Sequence, residues 1–391
     1  MKKRALLLKL AQDIRASYWF IPATLVLLAL GLAHVTEWID RHTELLPFHL
    51  PDAFVNTQVD GARSTLSTIA TAVIGVTGVM FSMTIVAVSF AAGNYGPRLI
   101  GNFMRDRGNQ VSLGILIATF AYALSILRAV QDPSEAAGVD AFVPQYSMLL
   151  AMLGCIIAVF TMIYFVHHVP ETINVSNITA SLGRRLETEI VNIIEAEAAL
   201  GERPEIDYPD RAPDDQIMLG SAGYIQTLNY DLIEEMMQDH DLKIRIEKLP
   251  GDFVTPFTPT LTVWAEGGLS EEHREELCGC YALGVSRTEH QNVLFLVDQL
   301  VEMLARALSP GVNDPFTAIN CLNWMHNALK TAKHHGDGLG DDGAGKYVLG
   351  PRLTYDALFK RSFLASQPYC ETDHLAHAHY KSRVSDLNTG L

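Results

Sequence analysis

Cys278-Gly279-Cys280 places two thiols one residue apart, a pattern that could bind a metal or cycle through a disulfide. A C-x-C supplies only two ligands, whereas zinc takes four at set spacings, and no paired histidines stand in a matching frame. The pair therefore reads as two reduced thiols. Five cysteines in 391 residues are also too few for a disulfide scaffold. His167-His168 forms a second cluster, but neighbouring helical side chains diverge by about 100°. It fits a pair at a membrane interface, responsive to pH near neutrality, better than one metal site. In the tail, His374 and His377 would offer two ligands at i, i+3, with His379 beyond, only if that polar segment were helical. No phosphate-binding glycine loop, H-E-x-x-H or nucleophile elbow occurs. The residues thus assign no catalytic group, metal or cofactor, and nothing in them argues for an enzyme.

A more distinctive string is Ala307-Leu308-Ser309-Pro310-Gly311-Val312-Asn313-Asp314-Pro315-Phe316-Thr317-Ala318. Asn313 and Asp314 invite a catalytic reading, but no partner nucleophile or base is identifiable. Ser309-Pro310-Gly311 stops one helix, and Asp314-Pro315 starts another with an N-cap and a first-turn proline. A structural corner accounts for nearly every residue.

One apolar stretch carries a further pattern. Thr68, Thr71, Gly75, Gly78, Ser82 and Ser89 follow alternating steps of three and four, interrupted only by Ile85 at its expected slot. The spacing puts small and hydroxyl residues along one helix face, with Ile74 and Val79 expected on the opposite face. Such a face either lets helices approach closely or lines a narrow aqueous path in an oligomer.

The elements that position these residues divide the chain. Residues 1–170 hold eleven Lys/Arg and ten Asp/Glu, a net of +1, and residues 171–391 hold eighteen and thirty-four, a net of −16. Four uncharged apolar stretches, Ser17–Ala33, Leu66–Ala92, Val111–Leu127 and Tyr146–Val166, approach or exceed the roughly 20 residues that cross a hydrocarbon core. They lack the charged face of soluble helices. The amino terminus carries Lys2, Lys3, Arg4, Lys9 and Arg15 before its apolar run, with no clean cleavage site after it, and reads as an uncleaved anchor. Basic residues alternate across the junctions: Arg98, Arg105 and Arg107 follow the second span, and Arg184 and Arg185 the fourth. The loop after the third is acidic. This pattern predicts both termini in the cytoplasm. No carboxylate, Lys or Arg lies inside a span, which disfavours a proton relay or ion-coupled transporter.

Beyond the spans the pattern predicts a cytoplasmic α+β domain over 171–335, then a flexible linker and polar tail over 336–391. Ile178–Ala199 has helical spacing, and Gly201–Asp215 reads as a turn or linker. Gly220–Asn229, Leu242–Leu249 and Thr260–Ala265 read as strands of one small sheet or minimal barrel, with a helix at Asp231–Asp239. Glu289–Leu308 and Phe316–Leu329 are amphipathic. Gly336–Gly345 is rich in Gly and Asp. The fold class expected is an α-helical membrane protein with four transmembrane helices and a C-terminal cytoplasmic α+β domain.

The 307–318 string resembles the signature of a bacterial family of predicted membrane proteins, catalogued as domain of unknown function 2254. Arg287-Thr288-Glu289-His290-Gln291-Asn292, Gly251-Asp252-Phe253-Val254 and Gly223-Tyr224-Ile225-Gln226 are similar to it too. So are Tyr95-Gly96-Pro97-Arg98-Leu99 and Asn102-Phe103-Met104-Arg105-Asp106. The likeness runs from about residue 15 to 330, with Asn292 standing where the pattern leads to aspartate and the tail beyond 346 matching poorly. It implies a multi-span inner-membrane protein with a cytoplasmic domain, and supplies no activity.

The function expected is an oligomeric channel or permeation-type protein with a cytoplasmic gating domain. The alternative is a membrane-anchored scaffold or sensor whose cytoplasmic domain binds a protein or small molecule. The expected partners are the lipid bilayer and further copies of the chain. The acidic second half has no excess of cations for nucleic acid, which is therefore excluded.

Overall fold

The computed structural model describes residues 17–45, 57–96, 106–133, 141–201, 206–335, 339, 347 and 349–389. All of the Gly336–Gly345 linker but Leu339, and most of the Tyr95–Asp106 motifs, lie outside these residues. The chain divides into two compact units, residues 1–93 with 97–174 and residues 94–96 with 175–391.

The first unit contains four helices long and apolar enough to cross a membrane: α1 (Phe20–Arg41), α2 (Val59–Tyr95), α3 (Arg107–Ala129) and α4 (Gln145–Ile173). Each extends past its uncharged stretch, because polar residues at the ends cap and cross-link the helices. Asp40 of α1 accepts from Tyr146 N–H (2.8 Å), Ser147 N–H (3.0 Å) and Ser147 Oγ (2.5 Å), and so satisfies the free donors at the start of α4. Arg63 of α2 pairs with Asp132 just beyond α3 at 2.6 Å. At the other end Asp106 accepts from Asn109 N–H and caps α3, while lying 2.9 Å from His168 Nε2 of α4. These links fix helices that alternate in direction. Between the two ends the bundle packs Leu66, Ile69, Leu116, Ile126 and Phe165. α1 and α3 approach closely at Gly114, where a Cβ would meet the Pro22 Cα at 3.1 Å.

In the second unit α5 (Val175–Leu200) packs on α8 (Leu294–Ala307) and α9 (Pro315–His334). Gly183 makes this possible, since a Cβ there would run into the Trp324 ring. Asn320 donates to Thr179 Oγ1 at 2.7 Å across the same seam.

The strands are β1 (Asp215–Met218), β2 (Gly223–Leu228), β3 (Lys243–Ile246), β4 (Phe253–Val254), β5 (Pro259–Trp264) and β6 (Tyr281–Gly284). They form two three-stranded antiparallel sheets, ordered β1-β5-β3 and β4-β2-β6, rather than the one small sheet or barrel expected. In β3 Ile244 and Ile246 are buried and Arg245 is exposed, as its alternation requires. Helix α6 (Tyr230–Asp239) lies between β2 and β3 in sequence, capped by Asn229, and α7 (Glu271–Gly279) is capped by Ser270. Ile217, Ile225, Ile233, Ile244, Leu261 and Leu277 join both sheets and helices in one core.

The segment expected as a polar tail is helical. α10 (Tyr355–Phe359) continues through a π-helical turn, Lys360–Leu364, into α11 (Ala365–Cys370), and α12 (His374–Thr389) lies on α9. Ala376, Tyr380 and Leu387 are buried on one side of α12, and polar anchors add to them. Lys330 and Lys333 donate to the Asp386 and Leu387 carbonyls at the end of α12, and His326 lies 2.8 Å from the Asp386 carboxylate.

Candidate functional site

Two places in the described residues have features that packing within their own unit leaves unused. The first is the α2 face. Ile69, Val73, Met80, Thr84 and Ala87 are buried against the chain's other helices. At about 100° per residue the centre of the stripe lies nearly opposite that face. Thr68, Thr71, Gly75, Gly78, Ser82 and Ser89 are all exposed, and a Cβ added at Gly75 or Gly78 would meet nothing within 4 Å. Among the described residues, the small side chains of the stripe make no contact that explains them. Ile74 and Val79 are exposed as well and flank the stripe, correcting their expected place on the opposite face. The hydroxyls are spoken for locally: Thr68 donates to the Ser64 carbonyl at 2.7 Å and Ser82 to the Gly78 carbonyl at 2.9 Å. Gly75, Gly78 and Ser82 face an apolar groove of about 740 Å³ shared with Val169, Pro170 and Ile173 of α4. Pro170 lacks the N–H that would bond back to the Val166 carbonyl.

The second place lies in the other unit, where sequence motifs far apart converge. Pro250-Gly251-Asp252 turns between β3 and β4 with Gly251 at φ +97°, and Asp252 accepts from Leu249 N–H at 3.0 Å. A Cβ on Gly251 would collide with Asn292 Nδ2. Gln291 adopts φ +52°, and its amide pairs with both the N–H and the carbonyl of Leu228 on β2 (2.9 and 3.1 Å). That clamp sets Asn292 and the start of α8. Arg287 pairs with Asp298, a carboxylate it shares with Arg361. Arg352 reaches Glu197 at 3.0 Å. Gly251, Asp252, Arg287, Gln291, Asn292 and Arg352, with Tyr230 and Leu353, line a cavity of about 180 Å³. Asn292 is only 6% exposed, and its Nδ2 has no hydrogen-bond partner, nor has the buried Nε of Arg287.

Ser309, Pro310, Gly311, Asn313, Asp314 and Pro315 form the expected corner. Ser309 Oγ donates to the Arg306 carbonyl, Asn313 takes φ +48°, and Asp314 accepts from Thr317 N–H at 3.1 Å with Pro315 at the first helical position. Val312 and Phe316 are exposed beside it. All five cysteines are free. Burial pushes the Cys280 and Cys370 thiols up to about 12 and raises Cys321 as well, so these three are not nucleophilic thiolates near neutrality. His379 is held by Asn323 at 2.8 Å, and His167 lies 3.4 Å from Glu171. Among the described residues no three His, Cys, Asp or Glu side chains are grouped to hold a metal.

Sequence reasoning singled out the Gly251 turn and the Arg287–Asn292 string separately. No spacing rule joins them, because Gln291 and β2 bring them together. Arg352 carried no signal at all.

An uncharacterized protein of Mycobacterium bovis and one of Mycobacterium tuberculosis are each 28% identical to the chain over 319 residues. Each alignment covers 80% of this chain and 60% of the relative, so the chain spans about 60% of the length of the curated relatives it matches. No solved structure is significantly similar. The family described as predicted membrane protein (DUF2254) matches residues 15–380, which takes in the four apolar helices, the corner, the cavity and most of the helical tail. The chain belongs to that family of membrane proteins.

Proposed function

We propose that the protein is a homo-oligomer of the permeation type in the bacterial inner membrane, with α2 at the contact between copies and the second unit acting as a cytoplasmic gating domain. The observation that carries this reading is the exposure of the small-residue stripe on the face of α2 opposite its own bundle. Glycine and serine facing lipid gain little from burial. The same residues facing another α2 allow close backbone approach and dense contact. The hydroxyls already bonded to their own helix can enter such a contact without leaving an unpaired donor. The alternation of basic residues supports a cytoplasmic second unit with both termini on that side. The uncharged middles of the spans favour a passive path over ion-coupled transport.

Reconstitution tests the reading. The full chain in mild detergent is expected to run as a closed oligomer and to give a conductance in planar bilayers. Ser82→Leu puts a bulky side chain on the contact face and should weaken the oligomer and the conductance together. A monomer or simple dimer without conductance contradicts the proposal. It would favour the second reading, a membrane-anchored scaffold or sensor, for which the cavity of the second unit, with its unpaired Asn292 and Arg287 donors, is the supporting observation.

A further inference from the structure

We propose that the cavity between the Gly251 turn and the start of α8 is a binding site for a compact oxyanion, of the size of phosphate or a short carboxylate. The proposal does not depend on the oligomer. Three independent features converge on one point. First, Asn292 Nδ2 and Arg287 Nε are buried donors without acceptors, and such groups are costly to bury unless something accepts from them. Both are donors, so the missing partner is an acceptor. Second, Val293 and Leu294 line the cavity at the start of α8, a 14-residue helix with no side-chain cap. Phe295 and Leu296 N–H turn back onto the Asn292 and Val293 carbonyls, so it is the positive end of the helix dipole that favours an anion there. Third, two guanidiniums, Arg287 and Arg352, line the cavity against one carboxylate, Asp252, which already accepts from Leu249 N–H.

The charges around the site, Asp252 included, sum to zero, so the unpaired donors and the helix terminus carry the preference for an anion. Asp298 serves Arg287 and Arg361 together, so that trio keeps one positive charge. Arg352 and Glu197 cancel. Gly251 completes the cradle: with no Cβ it lets Asn292 Nδ2 and an Arg287 Nη2, 3.3 Å from where that Cβ would stand, come close to the same backbone. The volume of about 180 Å³ would hold about six waters, or one phosphate with a few waters beside it.

The test is a titration of the full chain in detergent with inorganic phosphate and, separately, acetate, each against chloride at matched ionic strength. Calorimetry or thermal unfolding is the readout. Saturable binding of either anion is expected. Asn292→Asp puts a carboxylate beside Arg287 Nε and the α8 terminus, so it should hold or raise the melting temperature without ligand. The same change should weaken anion binding by about tenfold or more, the effect of losing a charge-assisted bond and gaining a like charge. Asn292→Leu, with similar volume and no donor, should weaken it to a similar degree while the protein stays folded. No saturable response to either anion overturns the proposal and assigns the orphaned donors to trapped water. Binding that survives both substitutions places the anion elsewhere and overturns it equally.

Discussion

The first unit turns Leu27, Leu28, Val79, Val86 and Phe160 outward, whereas the second gathers Ile217, Ile225, Ile244 and Leu261 into a core. In the first, the polar groups do structural work at the helix ends, through Asp40, Arg63 and Asp106. In the second, salt bridges such as Arg287–Asp298 and Arg352–Glu197 lie along the elements themselves. The difference teaches what an unusual residue means in each place. An exposed leucine in the first unit needs no explanation in lipid, but an exposed glycine stripe does. In the second unit an exposed charge is ordinary, but a buried donor without an acceptor is not.

Two helical glycines give the largest contrast. Gly183→Val drives side-chain atoms into the Trp324 ring and should cost about 3 kcal/mol, seen as a lowered melting temperature. Gly78→Val meets open space and, in a detergent that separates the copies, should change stability by less than about 0.5 kcal/mol. Equal losses at the two positions would break the contrast between a glycine required inside a unit and one available to a partner.

Helix caps sharpen the comparison at smaller scale. Asp40→Ala strands three donors at the start of α4 and should cost about 2 kcal/mol. Asp314→Ala, at an open corner where water can replace the lost acceptor, should cost about 1 kcal/mol. Thermal unfolding of both variants ranks them, and the reverse order would contradict the difference in solvent assigned to the two units.

The smallest effect expected is on pH. Burial lowers the pKa of His326 and of His379, where α9 and α12 meet. Folding therefore favours their neutral forms, and the docking energy they contribute is present above about 6.5, the ordinary imidazole value. It is lost as pH falls through their lowered folded values. Asp386 is shifted down from 3.8 chiefly by Lys330, so its own contribution fades only in stronger acid and does not reverse the trend. Protection factors for amide exchange across residues 374–389, taken relative to the slower intrinsic exchange in acid, should fall between about pH 8 and pH 5.5, with no comparable change in α2.

The spans, the 3.6-residue stripe and the cap at Asp314 were legible in the sequence, because each is a local pattern whose period or end signal survives without knowledge of its neighbours. The two-sheet arrangement was not. β4 is only two residues, and β1 and β6, though as long as β3, lack its alternation of charged and apolar residues. The helical tail was missed for a related reason. α12 buries only Ala376, Tyr380 and Leu387, a sparse apolar set, and docks with the help of lysines on carbonyls and a histidine on Asp386. Which face of α2 the stripe occupies followed from spacing. Whether the chain itself covers that face depended on where α1, α3 and α4 lie. The cavity at Gly251 and Asn292 is a long-range meeting of turns, set by Gln291 against Leu228, and no periodicity encodes it.

The most direct measurement is oxidative cross-linking of single cysteines along α2 in native membranes, with the five native cysteines replaced. Gly78→Cys and Ser82→Cys lie on the stripe. Phe81→Cys and Met83→Cys are exposed and sit roughly 100° to either side of its centre. If copies meet through the stripe, the first pair should form disulfide-linked dimers at least about tenfold faster than the second, a ratio worth about 1.4 kcal/mol. Equal rates at all four positions, or faster linking at Phe81 and Met83, would contradict an interface built on the small residues of α2.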